Sequence, residues 1–175
     1  MDQASSASVS GQHAADGQSA TAARPLIAFR AGTRWLAVGA AQVREIARVM
    51  TAHRVPHRRD LRFLGLVNVR GELVPCVDIQ AVLGMDFPPG DRPVTRGGNT
   101  WRRTMLLEQE GQAVAFHVDE VDALHQVQDQ ALRPLLPDET SAAGRLTQAM
   151  VDLPVGPTVL IDPDMFWYAV NEVWR

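Results

Sequence analysis

The residues of this chain that could do chemistry begin with its single cysteine. Cys76 could act as a nucleophile only if a histidine base and an orienting acid activated it, and no local motif supplies them. It lies in the run Leu73-Val-Pro-Cys-Val-Asp-Ile79, whose apolar neighbours favour burial, so a small core residue is the favoured interpretation. A hydrolase that uses Cys76 and a histidine is the catalytic alternative, and Cys76→Ala would abolish its activity.

Two further groups contain residue types that bind metals. His53 and His57 have the i, i+4 spacing of helical ligands, but Pro56 lies between them and interrupts a helix. The second group consists of three carboxylates, Asp119, Glu120 and Asp122. Because this group lacks the glycine and the ligand periodicity of a calcium loop, we expect a solvated turn. The sequence therefore predicts no metal, no cofactor and no catalytic residue.

A basic segment runs from Arg54 to Arg62. Its expected role is a solvated, exposed loop, and a specific anion site is the alternative. Nucleic-acid binding would need aromatic stacking partners near these arginines, and only Phe63 is close in the sequence. A nucleic-acid-binding β-barrel is therefore the alternative function, and it predicts an affinity that falls steeply with salt.

The strongest local pattern is the run Leu64-Gly-Leu-Val-Asn-Val-Arg-Gly-Glu-Leu-Val-Pro-Cys-Val-Asp-Ile79. Asn68 and Gly71 suit a tight turn between two strands, which would hold Arg70 at the tip. An arginine held there can bind a partner, or it can form an internal ion pair, and the sequence leaves both roles open. The acids available for an internal pair are Glu45, Glu72 and Asp78.

These residues need a scaffold, and the chain contains two similar halves. Trp35–Val49 aligns without gaps on Ala113–Val127 at an offset of 78 residues, with apolar positions matched to apolar positions. Farther along, Val74–Asp78 resembles Thr158–Asp162. The short runs rich in Val, Ile and Leu, separated by Gly and Pro, are typical of an all-β barrel or sandwich. We therefore predict a duplicated β module with about five strands in each copy.

The predicted organisation is one mainly all-β domain after a disordered tail. The tail is predicted because the opening residues are small and polar and cannot bury enough apolar surface. Gly39 to Arg48 fits either one helical turn or a bent strand. The predicted segments are the tail at 1–24, barrel module one at about 25–86, a Pro- and Gly-rich linker at about 87–100, module two at about 101–163 and a C-terminal helix at about 164–174.

Composition limits the environment and the partners. The chain has 175 residues, 46% of them hydrophobic, with no apolar stretch approaching the roughly 18 residues of a membrane helix and no signal-peptide pattern. A single cysteine excludes an intramolecular disulfide, which agrees with the cytosol. Residues 25–84 hold nine Arg against four acids, and residues 105–175 hold three Arg against twelve acids. This polarity could steer partners or favour packing of one half on the other.

The run from Gly65 to Asp78 resembles the G-x-x-N-x-R-G-x-x-x-P-x-x-D signature of CheW-like domains. Phe29–Ile46 resembles the opening hairpin and V-x-E-I segment of that family, and Val118–Val121 resembles its second V-D-x-V segment. The similarity spans about residues 26–168. Leu146–Pro154 departs from it, because the family usually has a glycine-containing strand there.

The resemblance implies two intertwined, five-stranded SH3-like β-barrels with short helices, and a non-catalytic adaptor of a chemosensory array. It implies binding to the regulatory domain of a CheA-like histidine kinase and to the cytoplasmic tip of methyl-accepting chemoreceptors, without nucleic acid. It also implies a cytoplasmic protein recruited to the inner face of the membrane without insertion. The family's receptor-binding positions correspond here to Val43, Glu45 and Arg70, and its motif and turn-forming positions to Gly65, Asn68, Gly71, Pro75 and Asp78.

Overall fold

The structure, a computed structural model, describes residues 22–85, 101–136 and 142–174. The first half forms β1 Ala23–Ala31, β2 Arg34–Gly39, β3 Val43–Arg48, β4 Phe63–Val69, β5 Glu72–Val77 and α1 Ile79–Val82. The second half forms β6 Arg103–Gln109, β7 Gln112–Val118, β8 Glu120–Gln128, β9 Arg133–Pro134, α2 Ala142–Arg145, β10 Thr147–Leu153, β11 Gly156–Ile161 and α3 Pro163–Trp174. The predicted mainly all-β fold with short helices and a C-terminal helix is confirmed.

Two predicted segments lie largely outside the described residues, namely most of the N-terminal tail and the linker at 87–100. Ala23 and Arg24, at the end of the predicted tail, already belong to β1. The segment Gly39–Arg48, for which a helical turn and a bent strand were alternatives, contains both: a 3-10 turn at Ala40–Gln42 and then β3. Within the described residues, no helix combines the length and apolar character needed to cross a bilayer.

Each of the two sheets is assembled from both halves of the chain. The first has the order β8-β1-β2-β11-β10-β9, and the second has the order β3-β6-β7-β5-β4. In the first sheet the hairpin of β1 and β2 lies between strands of the second half. In the second sheet the hairpin of β6 and β7 lies between strands of the first half. The halves therefore exchange their opening hairpins, and the predicted intertwining is confirmed.

The exchange makes the two sheets equivalent. β2 pairs in parallel with β11, with Ala37 opposite Leu160, and β7 pairs in parallel with β5, with Ala115 opposite Cys76. The alignment at an offset of 78 residues places Ala37 on Ala115, so the repeat detected in the sequence is repeated in the pairing. β9, with two residues, adds a sixth strand to the first sheet alone.

The apolar side chains form three cores. A small cluster lies within each barrel, one around Leu26 and Val151 and the other around Val67 and Cys76. The largest cluster is shared between the two sheets and is covered by α3. Its aromatic side chains pack against one another with ring centroids 5.7–6.2 Å apart, a spacing that adds to the burial itself: Phe29, Phe116, Phe166 and Trp167.

The charge asymmetry between the halves appears in the ion pairs. Within the described residues, three of the ion pairs join an arginine of the first half to an acid of the second half. They are Arg24 with Asp129 at 2.6 Å, Arg30 with Glu120 at 3.2 Å and Arg44 with Glu108 at 3.3 Å. All are at least partly exposed, and each contributes at most about 1 kcal/mol. They favour the intertwined pairing of the two halves, but the shared core supplies most of the stability.

Gly65 allows a close approach that the second sheet requires. It lies at a bulge in β4, with φ +137°, and the backbone of His53 crosses directly over it. A Cβ at this position would lie 2.2 Å from the carbonyl oxygen of His53. His53 and Leu66 exchange backbone hydrogen bonds at 2.8 and 2.9 Å, so this carbonyl cannot move freely. The first glycine of the signature-like run is therefore required sterically.

We predict that Gly65→Ala lowers the free energy of unfolding by at least about 3 kcal/mol, because the new methyl group meets fixed backbone. Gly71→Ala is the matched control. Its φ of +93° is also positive, but nothing lies within 4 Å of a Cβ there, so only the backbone cost of about 1–2 kcal/mol applies. Urea denaturation of both variants measures the difference, and equal losses would contradict the steric explanation.

Candidate functional site

The β4–β5 hairpin presents the tip of the signature-like run. Val69 pairs with Glu72, which leaves Arg70 and Gly71 as a two-residue loop. Their φ angles are +53° and +93°, the signs that a type I′ turn requires at both positions. The Asn68 side-chain oxygen accepts a hydrogen bond of 2.8 Å from the Gly71 N–H and fixes the turn. The turn predicted from Asn68 and Gly71 is present.

Arg70 combines the two roles that the sequence left open. Its Nη2 lies 3.0 Å from Glu45 Oε1, yet 82% of its side chain is exposed. The Glu45 side chain is 24% exposed, so the less exposed partner of this ion pair holds the more exposed one in place. The other two acids considered for Arg70 have different partners, since Glu72 binds Arg44 and Asp78 caps α1. Arg70 is therefore oriented by one internal ion pair, and most of its side chain faces solvent.

A bulge in β3 directs a second arginine toward the same hairpin. Relative to β6, Arg44 is an extra residue between Val43 and Glu45. Its guanidinium binds Glu72 at 2.6 Å and Glu108 at 3.3 Å, and so joins β3 to β5 and β6. The hydrogen bond from Arg44 lowers the pKa of the Glu72 carboxyl. Sequence reasoning missed this role, because a bulge cannot be recognised in the sequence of one strand.

The remaining signature-like positions have structural roles. Val43 is half-buried and packs against the shared core. Pro75 lies in β5 next to Cys76, where pairing with β7 begins, and its missing N–H is not needed for that ladder. The Asp78 carboxylate accepts hydrogen bonds from the N–H groups of Gln80 and Ala81 and caps α1. These positions hold the hairpin and helix in place.

Cys76 and His117 form a pair that resembles a catalytic dyad only in composition. Cys76 Sγ lies 3.8 Å from His117 Nε2, and His117 Nδ1 lies 3.1 Å from Thr104 Oγ1, which accepts the Met50 N–H. Burial raises the pKa of the Cys76 thiol to about 12. Burial and then the charge of Arg102 lower the pKa of His117. The thiol is therefore protonated and out of contact with solvent at neutral pH.

The acidic cluster differs from the expected solvated turn, because each carboxylate has its own partner. The partners are the Gly32 N–H at 2.7 Å for Asp119, Arg30 at 3.2 Å for Glu120 and His125 at 2.8 Å for Asp122. Asp119 thereby joins the β7–β8 connection to the β1–β2 turn. In the part of the chain that the structure describes, no three His, Cys, Asp or Glu side chains form a metal-binding group.

The basic segment is partly engaged within the fold. Arg58 Nη1 donates a hydrogen bond of 2.8 Å to the Trp174 carbonyl, and Arg62 binds Asp60 at 2.6 Å. The hydrogen bond from Arg62 lowers the pKa of the Asp60 carboxyl. Phe63, the aromatic residue that nucleic-acid binding would need, packs edge-on against Trp174 with centroids 5.5 Å apart. The segment is therefore not a stacking platform.

We predict that Cys76 in the folded protein reacts with a thiol reagent at pH 8 far more slowly than in denaturant, because the thiol is buried and has a pKa of about 12. Leu73→Cys is the control. It places a second thiol on the same strand at a position that is 64% exposed, and this thiol should label rapidly. Fast labelling of Cys76 in the folded protein would contradict this prediction and support the hypothesis that Cys76 is a nucleophile.

We predict that His117 makes the protein less stable as the pH falls below about 6.5, the ordinary pKa of histidine. Its pKa is lowered in the fold, so in this range the unfolded chain binds more protons and stability rises with pH. Arg102 opposes protonation and Asp78 favours it, but burial is the largest effect. His117→Gln should flatten the pH dependence of the unfolding free energy relative to the wild type.

Comparison with known proteins agrees with these features. Residues 25–166 match the family described as CheW-like domain. The "Probable chemotaxis protein CheW" of Rhizobium etli and the "Chemotaxis protein CheW" of Rhizobium meliloti are each 34% identical over 112 residues, 63% of this chain. The aligned region spans 66% of each relative's length.

A solved structure has the same fold. It is the "scaffolding protein TtCheW from Thermoanaerobacter tengcongensis", which superposes with a TM-score of 0.65 at 17% identity over 80% of this chain and 89% of that one. The likeness confirms the SH3-like double barrel. Because the family match covers most of the chain and the hairpin has the geometry that the signature requires, this chain belongs to the CheW-like domain family.

Proposed function

We propose that this chain is a non-catalytic adaptor that couples chemoreceptors to a CheA-type histidine kinase in a chemosensory array. The family assignment and the chemotaxis and scaffolding relatives support this role. The proposed partners are the kinase regulatory domain and the cytoplasmic tip of a methyl-accepting chemoreceptor. Binding to receptor tips would recruit the protein to the inner face of the membrane.

The observation that carries the proposal is the presentation of Arg70. Type I′ turns favour Asn, Asp or Gly at the position that Arg70 occupies, because a left-handed backbone costs free energy for other residues. A long cationic side chain at this position indicates that the side chain itself is needed. Glu45 orients the guanidinium without burying it. Such a fixed, exposed arginine is a frequent centre of protein interfaces.

Apolar surface next to Arg70 completes the proposed receptor-binding surface. Leu73, two residues after the turn, is 64% exposed, and Ile46 on β3 is 38% exposed. These two aliphatic side chains lie on the strands that carry the turn and Glu45, and an exposed arginine with exposed aliphatic groups is a composition suited to binding another protein. We propose that the receptor tip binds this surface. The family resemblance implies that the receptor tip lies in the groove between the barrels.

The alternatives receive less support. A hydrolase that uses Cys76 would need a thiolate, and the pKa of about 12 works against it. A nucleic-acid-binding barrel would need free aromatic rings beside the basic segment, and Phe63 is packed against Trp174. The similarities to CheW proteins do not favour that function either.

We predict that Arg70→Glu weakens binding of a receptor tip fragment by about tenfold or more, because it removes a charge-assisted contact and repels Glu45. Calorimetric titration with the receptor fragment and with the regulatory domain of a CheA-like kinase from the same genome measures both affinities. Kinase binding should be retained in the variant, which shows that the adaptor is folded and that the receptor surface is separate.

Arg34→Glu is the matched control, since it reverses an exposed arginine on the other sheet and should leave both affinities unchanged. Glu45→Arg combined with Arg70→Glu restores the internal ion pair with opposite polarity. If the double variant recovered receptor binding fully, Arg70 would act only by fixing the turn. Failure of the wild-type protein to bind either partner would overturn the adaptor proposal.

A further inference from the structure

A cavity of about 420 Å³ lies away from the hairpin tip, between the basic segment and the ends of β5, β6 and β7. Its size falls within the range of small-molecule sites. Arginines from two separate parts of the chain line it, three from the β3–β4 connection and one from the residue before β6. They are Arg54, Arg58, Arg59 and Arg102.

The positive charge in this cavity is not balanced by its own acids. Two carboxylates line it, and both are engaged: Asp60 binds Arg62, and Asp78 caps α1. Among the described residues, Arg54 and Arg59 form no ion pair or hydrogen bond. A cavity with unpaired guanidinium groups at its rim attracts an anion.

Arg102 provides an independent indication of a missing ligand. It is the least exposed of the four arginines, with 16% of its side chain accessible. Its Nε forms an ion pair with Asp119 at 3.7 Å, which is too long for a hydrogen bond, so this buried N–H has no hydrogen-bond acceptor. A buried guanidinium donor without an acceptor is costly, and an anion in the adjoining cavity would satisfy part of this group.

Five apolar side chains also line the cavity. The apolar residues that line it together with the arginines are Val55, Leu61, Phe63, Leu64 and Val77. A bare inorganic anion would leave this surface in contact with water, whereas a ligand with an apolar body would cover it. Planar guanidinium forks bind phosphate oxygens in pairs, and several of them together match a dianion better than a single carboxylate.

We propose that this cavity binds a small organic phosphate, with the phosphate on the arginine side and its apolar body against Phe63 and Leu64. The site is separate from the proposed receptor-binding surface, because none of the proposed receptor-binding residues lines it. His117, which also lines the cavity, is a built-in reporter. A phosphate beside Arg102 offsets the charge that opposes protonation of His117, so binding raises the pKa of this histidine.

The test follows the His117 ring resonances of the full chain by NMR while phenyl phosphate, inorganic phosphate or phenol is added. We expect saturable millimolar or tighter binding of phenyl phosphate, weaker binding of inorganic phosphate and none of phenol. The pKa of His117 should rise in the bound state. Arg102→Gln should weaken phenyl phosphate binding by about tenfold or more.

Three further variants keep the test decisive. Arg59→Gln alters an exposed rim arginine and should weaken binding without affecting folding, even if Arg102→Gln lowers stability. Arg34→Gln and Arg70→Glu, which lie outside the cavity, should bind phenyl phosphate as the wild type does. No response of His117 to any phosphate at millimolar concentration, equal affinity for inorganic and phenyl phosphate, or equal losses in Arg59→Gln and Arg34→Gln would overturn the proposal.

Discussion

The parallel pairing of β2 with β11, and of β7 with β5, is the constraint on which the rest of this structure depends. Each pair joins strands from opposite halves, so neither half can complete its sheet or bury its barrel interior alone. The largest core forms between the two sheets and needs α3 to cover it. Such contacts connect residues far apart in sequence, which makes the two halves one cooperative unit despite their duplicated sequence.

The proposed receptor-binding surface depends on the same exchange. Glu45, which orients Arg70, lies on β3, and among the described strands β3 pairs only with β6 from the second half. Arg44 extends this link, because it binds one acid on β5 and another on β6. The geometry around Arg70 is therefore determined by both halves. A change that loosened the exchanged hairpin would disturb the tip without altering any residue in it.

Local chemistry explains which features the sequence predicted. The turn at Asn68 and Gly71 depends on neighbouring residues, and the repeat depends on apolar spacing, so both were predictable. The bulge at Arg44 and the burial of Arg102 were not, because they depend on how distant strands align. Of the three acids available to Arg70, only the register of folded strands selects Glu45.

The structural roles of the signature-like residues bear on specificity. Gly65 admits a crossing backbone, Asn68 and Gly71 build a turn, and Asp78 caps a helix. Each role concerns the fold, whereas Arg70 presents a largely exposed side chain, which the proposed function assigns to partner binding. In the proposed function, selectivity among partners would therefore come from the residues around Arg70 on β3 and β5, because the signature-like residues of this chain serve to hold the turn and the helix.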